Sequence, residues 1–156
     1  MKADHLNPFI SAAQDVLQQF LPEIDIELGD PSISDAPTET LGAATYIGIS
    51  GELEGRVIYD MDRVTATNLA SAMNGEEIPG MNELVRSTIQ ELANVISGNA
   101  ATNLRREAED KEIDITPPSM IVGDTEISDS VSRQYITVPL ATNHGTIIIN
   151  LAVRET

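Results

Sequence analysis

The chain contains no cysteine, which excludes a disulfide framework, a thiolate metal centre and thiol redox chemistry. Its two histidines, His5 and His144, cannot build a zinc site alone. Tryptophan is also absent, and aromatic residues make up 3% of a chain that is 41% hydrophobic. The core therefore has to be built from Ile, Leu, Val, Ala and Met. Basic residues are scarce: 9 Lys and Arg stand against 25 Asp and Glu, a formal net charge of -16. Such a field repels phosphate backbones and anionic lipid surfaces, so nucleic acid and membrane are poor partners. No apolar run approaches the roughly 20 residues that a bilayer requires. The opening stretch carries Asp4, His5, Asn7 and Pro8, and Gln14, Asp15, Gln18 and Gln19 interrupt the apolar positions that follow, unlike a secretory segment. A cytoplasmic location is the expectation. With 156 residues, the chain reads as one domain spanning 1–156, long enough to bury a core without staples.

What the chain does contain is an internal repeat. Ser11, Gln14, Asp15 and Gln18 run in phase with Ser87, Gln90, Glu91 and Asn94. Glu23 to Ile26 recurs as Glu112 to Ile115, Pro31 and Ser32 as Pro118 and Ser119, and Tyr46 and Ile47 as Tyr135 and Ile136. The repeats cover about 7–61 and 82–153, and each reads as a helix followed by strands. The fold class is α/β: two pseudo-symmetric units forming an antiparallel sheet covered by two long helices.

Within the first unit, Asn7 and Pro8 suit an N-cap and first turn, and Phe9, Ala13, Val16 and Phe20 follow at helical spacing until Pro22. Thr45–Ile49 and Arg56–Tyr59 are rich in β-branched and aromatic residues and flank a Gly51–Gly55 hairpin. In the second unit, Tyr135–Leu140 and Thr146–Val153 flank a turn at Thr142–Gly145. The Ile-rich second strand of that pair would be hazardous as an open sheet edge, which argues for a homodimer. Between the units a short helix is expected from Arg63, capped by Asp62 and stopped at Asn74 and Gly75. The second long helix starts near Asn82 and runs to about Glu109. Its apolar stripe is Val85, Ile89, Leu92, Ile96 and Ala100, and Ser87, Glu91, Asn94 and Gly98 fall on the opposite side.

An isolated Glu and Asn on an outward helix face is ordinarily a solvated surface. Here Ser87, Glu91 and Asn94, followed after twenty-two residues by Pro117, resemble the signature of the CheC/CheX/FliY family of chemotaxis phosphatases. Ile47–Gly51, Glu54–Gly55, Ser71–Met73, Glu91–Asn94 and Ile113–Pro118 extend the resemblance across most of 46–119, CheX most of all. The first unit carries Asp15 and Gln18 where CheC-type members tend to repeat the Glu and Asn, and a single motif is again CheX-like.

That resemblance implies hydrolysis of the aspartyl-phosphate on a CheY-like response regulator, in chemotaxis or another two-component circuit. Asn94 would orient the attacking water, as an amide with one acceptor and two donors can. Glu91 would dock a lysine of the partner through a charge-assisted contact. Ser87 would serve by being small and Pro117 by shaping its loop, and sheet-edge homodimers are usual for the family. Mg²⁺ is expected in the partner's site, and no metal or cofactor on this chain. The alternative is a module that binds a response regulator or flagellar-switch component without hydrolysis. His144 reads as a turn residue, the acidic run Glu107, Glu109, Asp110 and Glu112 as a solvated helix end rather than an EF-hand, and Arg105 and Arg106 as complements of the helix dipole.

Overall fold

The computed structural model of the protein describes residues 3–34, 38–107, 112–127 and 134–156. Three α-helices form where the apolar spacing places them: α1 (Asn7–Phe20), α2 (Arg63–Asn74) and α3 (Glu83–Glu107). Asn7 does not cap α1. The chain enters from a 3₁₀ turn at Ala3–His5, so Leu6 is already helical at the cap position and no side chain caps it. The Leu6 carbonyl instead accepts from Phe9 and Ile10, and Pro8 occupies the first turn, where its missing N–H costs nothing. The helix stops before Pro22, as its spacing predicts.

The other two helices are capped as their sequences require. The Asp62 carboxylate accepts from the Thr65 N–H at 2.7 Å, and that bond holds its pKa below the usual carboxylate value. Gly75 ends α2 in the left-handed conformation (φ 66), which only a residue without Cβ adopts freely. Asn82 Oδ1 accepts from the Val85 N–H at 3.0 Å, an ordinary N-cap for α3. Glu109 and Asp110 lie outside the described residues.

The strands are β1 (Ile26–Leu28), β2 (Ser32–Ser34), β3 (Thr38–Glu39), β4 (Ala43–Gly51), β5 (Leu53–Met61), β6 (Ile113–Ile115), β7 (Ser119–Val122), β8 (Glu126–Ile127), β9 (Tyr135–Thr142) and β10 (Gly145–Glu155). The main sheet is antiparallel with order β1-β9-β10-β5-β4-β6, while β2 also pairs with β9 and β7 with β4. That order is a palindrome of the repeated units: β1 matches β6, β9 matches β4, and β10 matches β5. Val57 lies opposite its own repeat counterpart, Leu151, so the pseudo-twofold passes through the β5–β10 seam. β3 and β8 pair separately.

One local expectation holds and one is corrected. β4 and β5 form the expected hairpin: their pairing ends at Ile49 opposite Gly55, so the connection spans the five residues 50–54, within which Gly51 pairs with β6 and Leu53 with β10. Glu52 is held from outside, because its N–H donates to the Glu112 carbonyl and its carboxylate accepts from the Glu112 N–H at 2.9 Å. The Ile-rich strand β10, expected at an open edge, instead sits mid-sheet between β5 and β9. Its consecutive residues 149–153 are all buried, so both faces are covered there, and a strand buried on both faces reads as a nearly continuous apolar run.

The core lies between the sheet and the helices, filled by residues such as Phe9, Val16 and Leu17 of α1, Val57 and Tyr59 of β5, Ile89 and Leu92 of α3, and Ile149 of β10. A smaller cluster of Ala44, Ile58, Tyr135 and Ala152 is buried on the alternate positions of the same strands. Asp60, also at 2% exposure, accepts the Leu41 N–H with both carboxylate oxygens at 3.1 Å. Burial pushes its pKa up to about 6, with the Leu41 and Met61 backbone donors pulling partly back.

Candidate functional site

All five residues of the expected apolar stripe of α3 are buried: Val85, Ile89, Leu92, Ile96 and Ala100. The buried face is wider than that stripe and also takes in Ala93, Ser97, Ala101 and Leu104. The reason is that α3 packs against α1 and α2 as well as the sheet. Opposite this face, Ser87 and Glu91 are exposed and Asn94 and Gly98 are half-buried. Glu91 and Asn94 are three residues apart and therefore neighbours on one side of the helix. Neither side chain has a hydrogen-bond or ion-pair partner among the described residues, so both keep their full bonding capacity for a partner.

The two supporting positions differ in where they fall. Ser87 lies one turn before Glu91, and its hydroxyl donates to the Leu84 carbonyl at 3.2 Å. That bond occupies its proton locally. Pro117 is on the link between β6 and β7, exposed, and is not hydrogen-bonded to the pair. Thr116 beside it ties the link to β4, accepting the Gly48 N–H at 2.8 Å through Oγ1 and donating its own N–H to the Gly48 carbonyl at 2.9 Å. Pro117 follows directly on this anchored residue.

Among the described residues, polar contacts from four places along α3 help to hold it. Arg86 donates to the Met120 carbonyl at 3.4 Å. Asn74 of α2 donates to Thr88 Oγ1 at 3.0 Å. Arg105 donates through Nε to the Ile113 carbonyl at 3.0 Å, so this arginine has a definite partner and does more than complement the helix dipole. In the middle, Tyr59 Oη and Ser97 Oγ are 2.8 Å apart and buried. Sequence reasoning missed this last pair. The one available signal was a serine at a position in phase with Ala93 and Ala101.

On the first unit, Asp15 and Gln18 of α1 are likewise exposed, an acid and a longer amide. His144 lies in the turn between β9 and β10, where its carbonyl accepts from Asn68 Nδ2 at 3.3 Å. Among the described residues no helix is long and apolar enough to cross a membrane.

The architecture defines the class: an α/β domain of two like units sharing one antiparallel sheet, with an unsatisfied acid and amide pair on the longer helix. The family described as "Chemotaxis phosphatase CheX" matches residues 43–141, and the chain belongs to it. The CheY-P phosphatase CheX of Thermotoga maritima is 35% identical over 124 residues, covering 79% of this chain and 78% of that protein. CheX of Borrelia burgdorferi, solved as a CheX-CheY-BeF3-Mg²⁺ complex, is 35% identical with a TM-score of 0.83 over 99% of this chain and 100% of that one. Chemotaxis protein CheX from Desulfovibrio desulfuricans shares the fold, with a TM-score of 0.85 at 24% identity, covering 97% of this chain and 99% of that one.

Proposed function

We propose that this protein hydrolyses the aspartyl-phosphate of a CheY-like response regulator, with Asn94 orienting the attacking water and Glu91 docking the regulator. The observation that carries this reading is the pair itself: an exposed carboxylate and a half-buried amide, side by side and without partners among the described residues, in a chain of the CheX family. An acyl phosphate is already reactive, so holding water in line with phosphorus is the main task left to a catalyst. The Asn94 carboxamide can accept from that water and donate toward a phosphoryl oxygen, and its neutrality avoids repelling the anion. Glu91 pairs with a lysine of the regulator's own site, which sets the register of Asn94.

The regulator brings its Mg²⁺ with it. The Borrelia complex contains both CheY and Mg²⁺, which supports assigning the metal to the partner's side. Ser87, its proton engaged by Leu84, acts by allowing close approach, and Pro117 by fixing its link. A cytoplasmic location follows from such a substrate.

The protein also forms a homodimer in this reading. With β10 internal, the support moves to the sheet edge at β1 and β2, where Leu28 and Ile33 are 45% and 68% exposed. An unpaired edge bearing apolar side chains is suited to meet another strand. Light scattering should give twice the 16.8 kDa chain mass; a monomer mass at micromolar concentration would end this part of the proposal.

The test of the activity is the decay of phosphorylated response regulators from the source organism, with Mg²⁺ present, with and without this protein. Accelerated decay of at least one regulator is expected. Tight binding with unchanged decay would leave a non-catalytic docking module instead.

A further inference from the structure

α3 is tied at Arg86 to β7, at Thr88 to Asn74 of α2 and at Arg105 to β6. The first two ties lie before Glu91 and the third lies about three turns beyond Asn94, so none falls between Glu91 and the turn that follows Asn94. The turn that carries the pair is backed mainly by aliphatic side chains, whose attraction is non-directional. Beneath it lies a small apolar void lined by Tyr59, Met61, Ile89, Leu92 and Ile96. A void removes contacts on one side of its lining and so weakens the resistance of packing to a small rotation of the helix. At this point in the core, Tyr59 Oη meets Ser97 Oγ at 2.8 Å.

We infer that Tyr59 is a positioning residue: its bond to Ser97 sets the rotation of α3 about its axis, and with it the aim of Asn94. This rests on the reading in which Asn94 holds the attacking water. Ser97 is three residues beyond Asn94, so the two are carried by one rigid helical turn. With the tip of a side chain roughly 5 Å from the helix axis, a rotation of about 10° displaces it by ~1 Å. A misplacement of ~1 Å in a catalytic arrangement can cost about a hundredfold in rate.

The other unit supplies the contrast. In the repeat, Ser97 corresponds to Leu21 and Tyr59 to Val153, both buried and apolar. The hydroxyl pair therefore accompanies only the helix with the Glu and Asn. Hydrophobic contact would serve stability as well; what a hydrogen bond adds is direction. Burial pushes the Tyr59 phenol far above its ordinary pKa, so the group keeps its proton at every working pH and the bond adds no pH dependence.

Tyr59→Phe, Ser97→Ala and the double variant are compared for kcat, KM, affinity for the beryllofluoride-loaded regulator, and thermal midpoint. Each single variant should lower kcat about tenfold while KM and affinity stay within about twofold. Each also leaves one buried hydroxyl unpaired and lowers the midpoint, whereas the double variant removes both partners and recovers most of the stability. Its kcat should remain depressed. A kcat that recovers together with the midpoint would make the pair merely structural and overturn the inference, as would full activity in the single variants. Asn94→Ala, run alongside, separates the two levels. Loss there with normal activity in Tyr59→Phe removes the positioning role alone, while activity retained in Asn94→Ala removes the water-orienting reading and this inference with it.

Discussion

The two long helices occupy like positions in a palindromic sheet, yet they have diverged. α1 has 14 residues and α3 has 25. α1 begins without a side-chain cap and α3 is capped by Asn82. Both present an acid and an amide three residues apart to the outside, Asp15 with Gln18 and Glu91 with Asn94. The difference in reach is one methylene at each position and of opposite sign. It teaches that a repeated scaffold can supply the same face twice with different side-chain lengths, and with a buried hydroxyl pair beneath one copy where the other has apolar residues.

The comparison breaks most visibly at the amides. Asn94→Ala should reduce the acceleration of regulator dephosphorylation by about a hundredfold or more, while the complex with a beryllofluoride-loaded regulator still forms, because a contact made in the transition state need not support ground-state binding. Gln18→Ala should leave the rate within twofold. Equal losses in a radiolabel decay assay would mean that both helices work.

The next largest effect concerns the acids. Glu91→Ala should weaken both binding and turnover by roughly tenfold, the scale of a charge-assisted hydrogen bond, with Asp15→Ala near wild type. Raising salt should imitate part of the Glu91 loss by screening an exposed pair. Titration calorimetry at two ionic strengths would show whether the affinity of the Glu91 variant has lost that salt dependence.

A smaller difference separates the helix starts. Removing the Asn82 cap with Ala should cost about 1 kcal/mol, or ~2–4 °C in thermal midpoint for a chain of this size. Asn7→Ala should change the midpoint little, since Asn7 makes no cap. The reverse order in a thermal scan would restore the expectation that its sequence raised.

The smallest effect lies where the halves differ in charge, Asp60 standing where the other repeat has Arg154. Since burial raises the Asp60 pKa from 3.8 to about 6, the folded form holds a proton that the unfolded chain has released between those values. The contribution of Asp60 is thus most favourable below about pH 4 and is lost as pH rises through about 6. Asp60→Asn removes that slope while retaining an oxygen for the Leu41 N–H. The midpoint of the variant minus that of the wild type should be greater at pH 7.5 than at pH 5, by a degree or two. A constant difference in scanning calorimetry would show that Asp60 does not titrate in this window.

Much of this architecture could be read from residue order. The repeat exposed the pseudo-twofold because Glu112–Ile115 and Tyr135–Ile136 return in the same succession as their first-unit counterparts. The boundaries of α2 followed from Asp62 and Gly75, whose chemistry is local. The candidate pair was legible through the family resemblance carried by Ser87, Glu91, Asn94 and Pro117, because a Glu and an Asn opposite an apolar stripe read by themselves as solvated surface. What escaped was set by neighbours distant in sequence. Periodicity identifies an apolar face but not how many elements cover it, so Ala93, Ser97 and Ala101 fell outside the expected stripe. The Ile run of β10 suggested an edge at risk when it was in fact a central strand. Tyr59 gave no signal at all, since a tyrosine in a strand has the same local pattern whether or not a serine awaits it on a helix.

The β5–β10 seam also has a consequence for how the molecule is made. Val57 and Leu151 face each other across it although about ninety residues separate them along the chain. During synthesis the β4–β5 hairpin therefore emerges long before the strand that will cover it, leaving Val57 to Tyr59 as an open flank. The closing event is a long-range one, which is intrinsically slow. Until β10 arrives, that edge of β5 is open to pairing with another strand; in the finished sheet β10 covers it from Leu53 to Asp60.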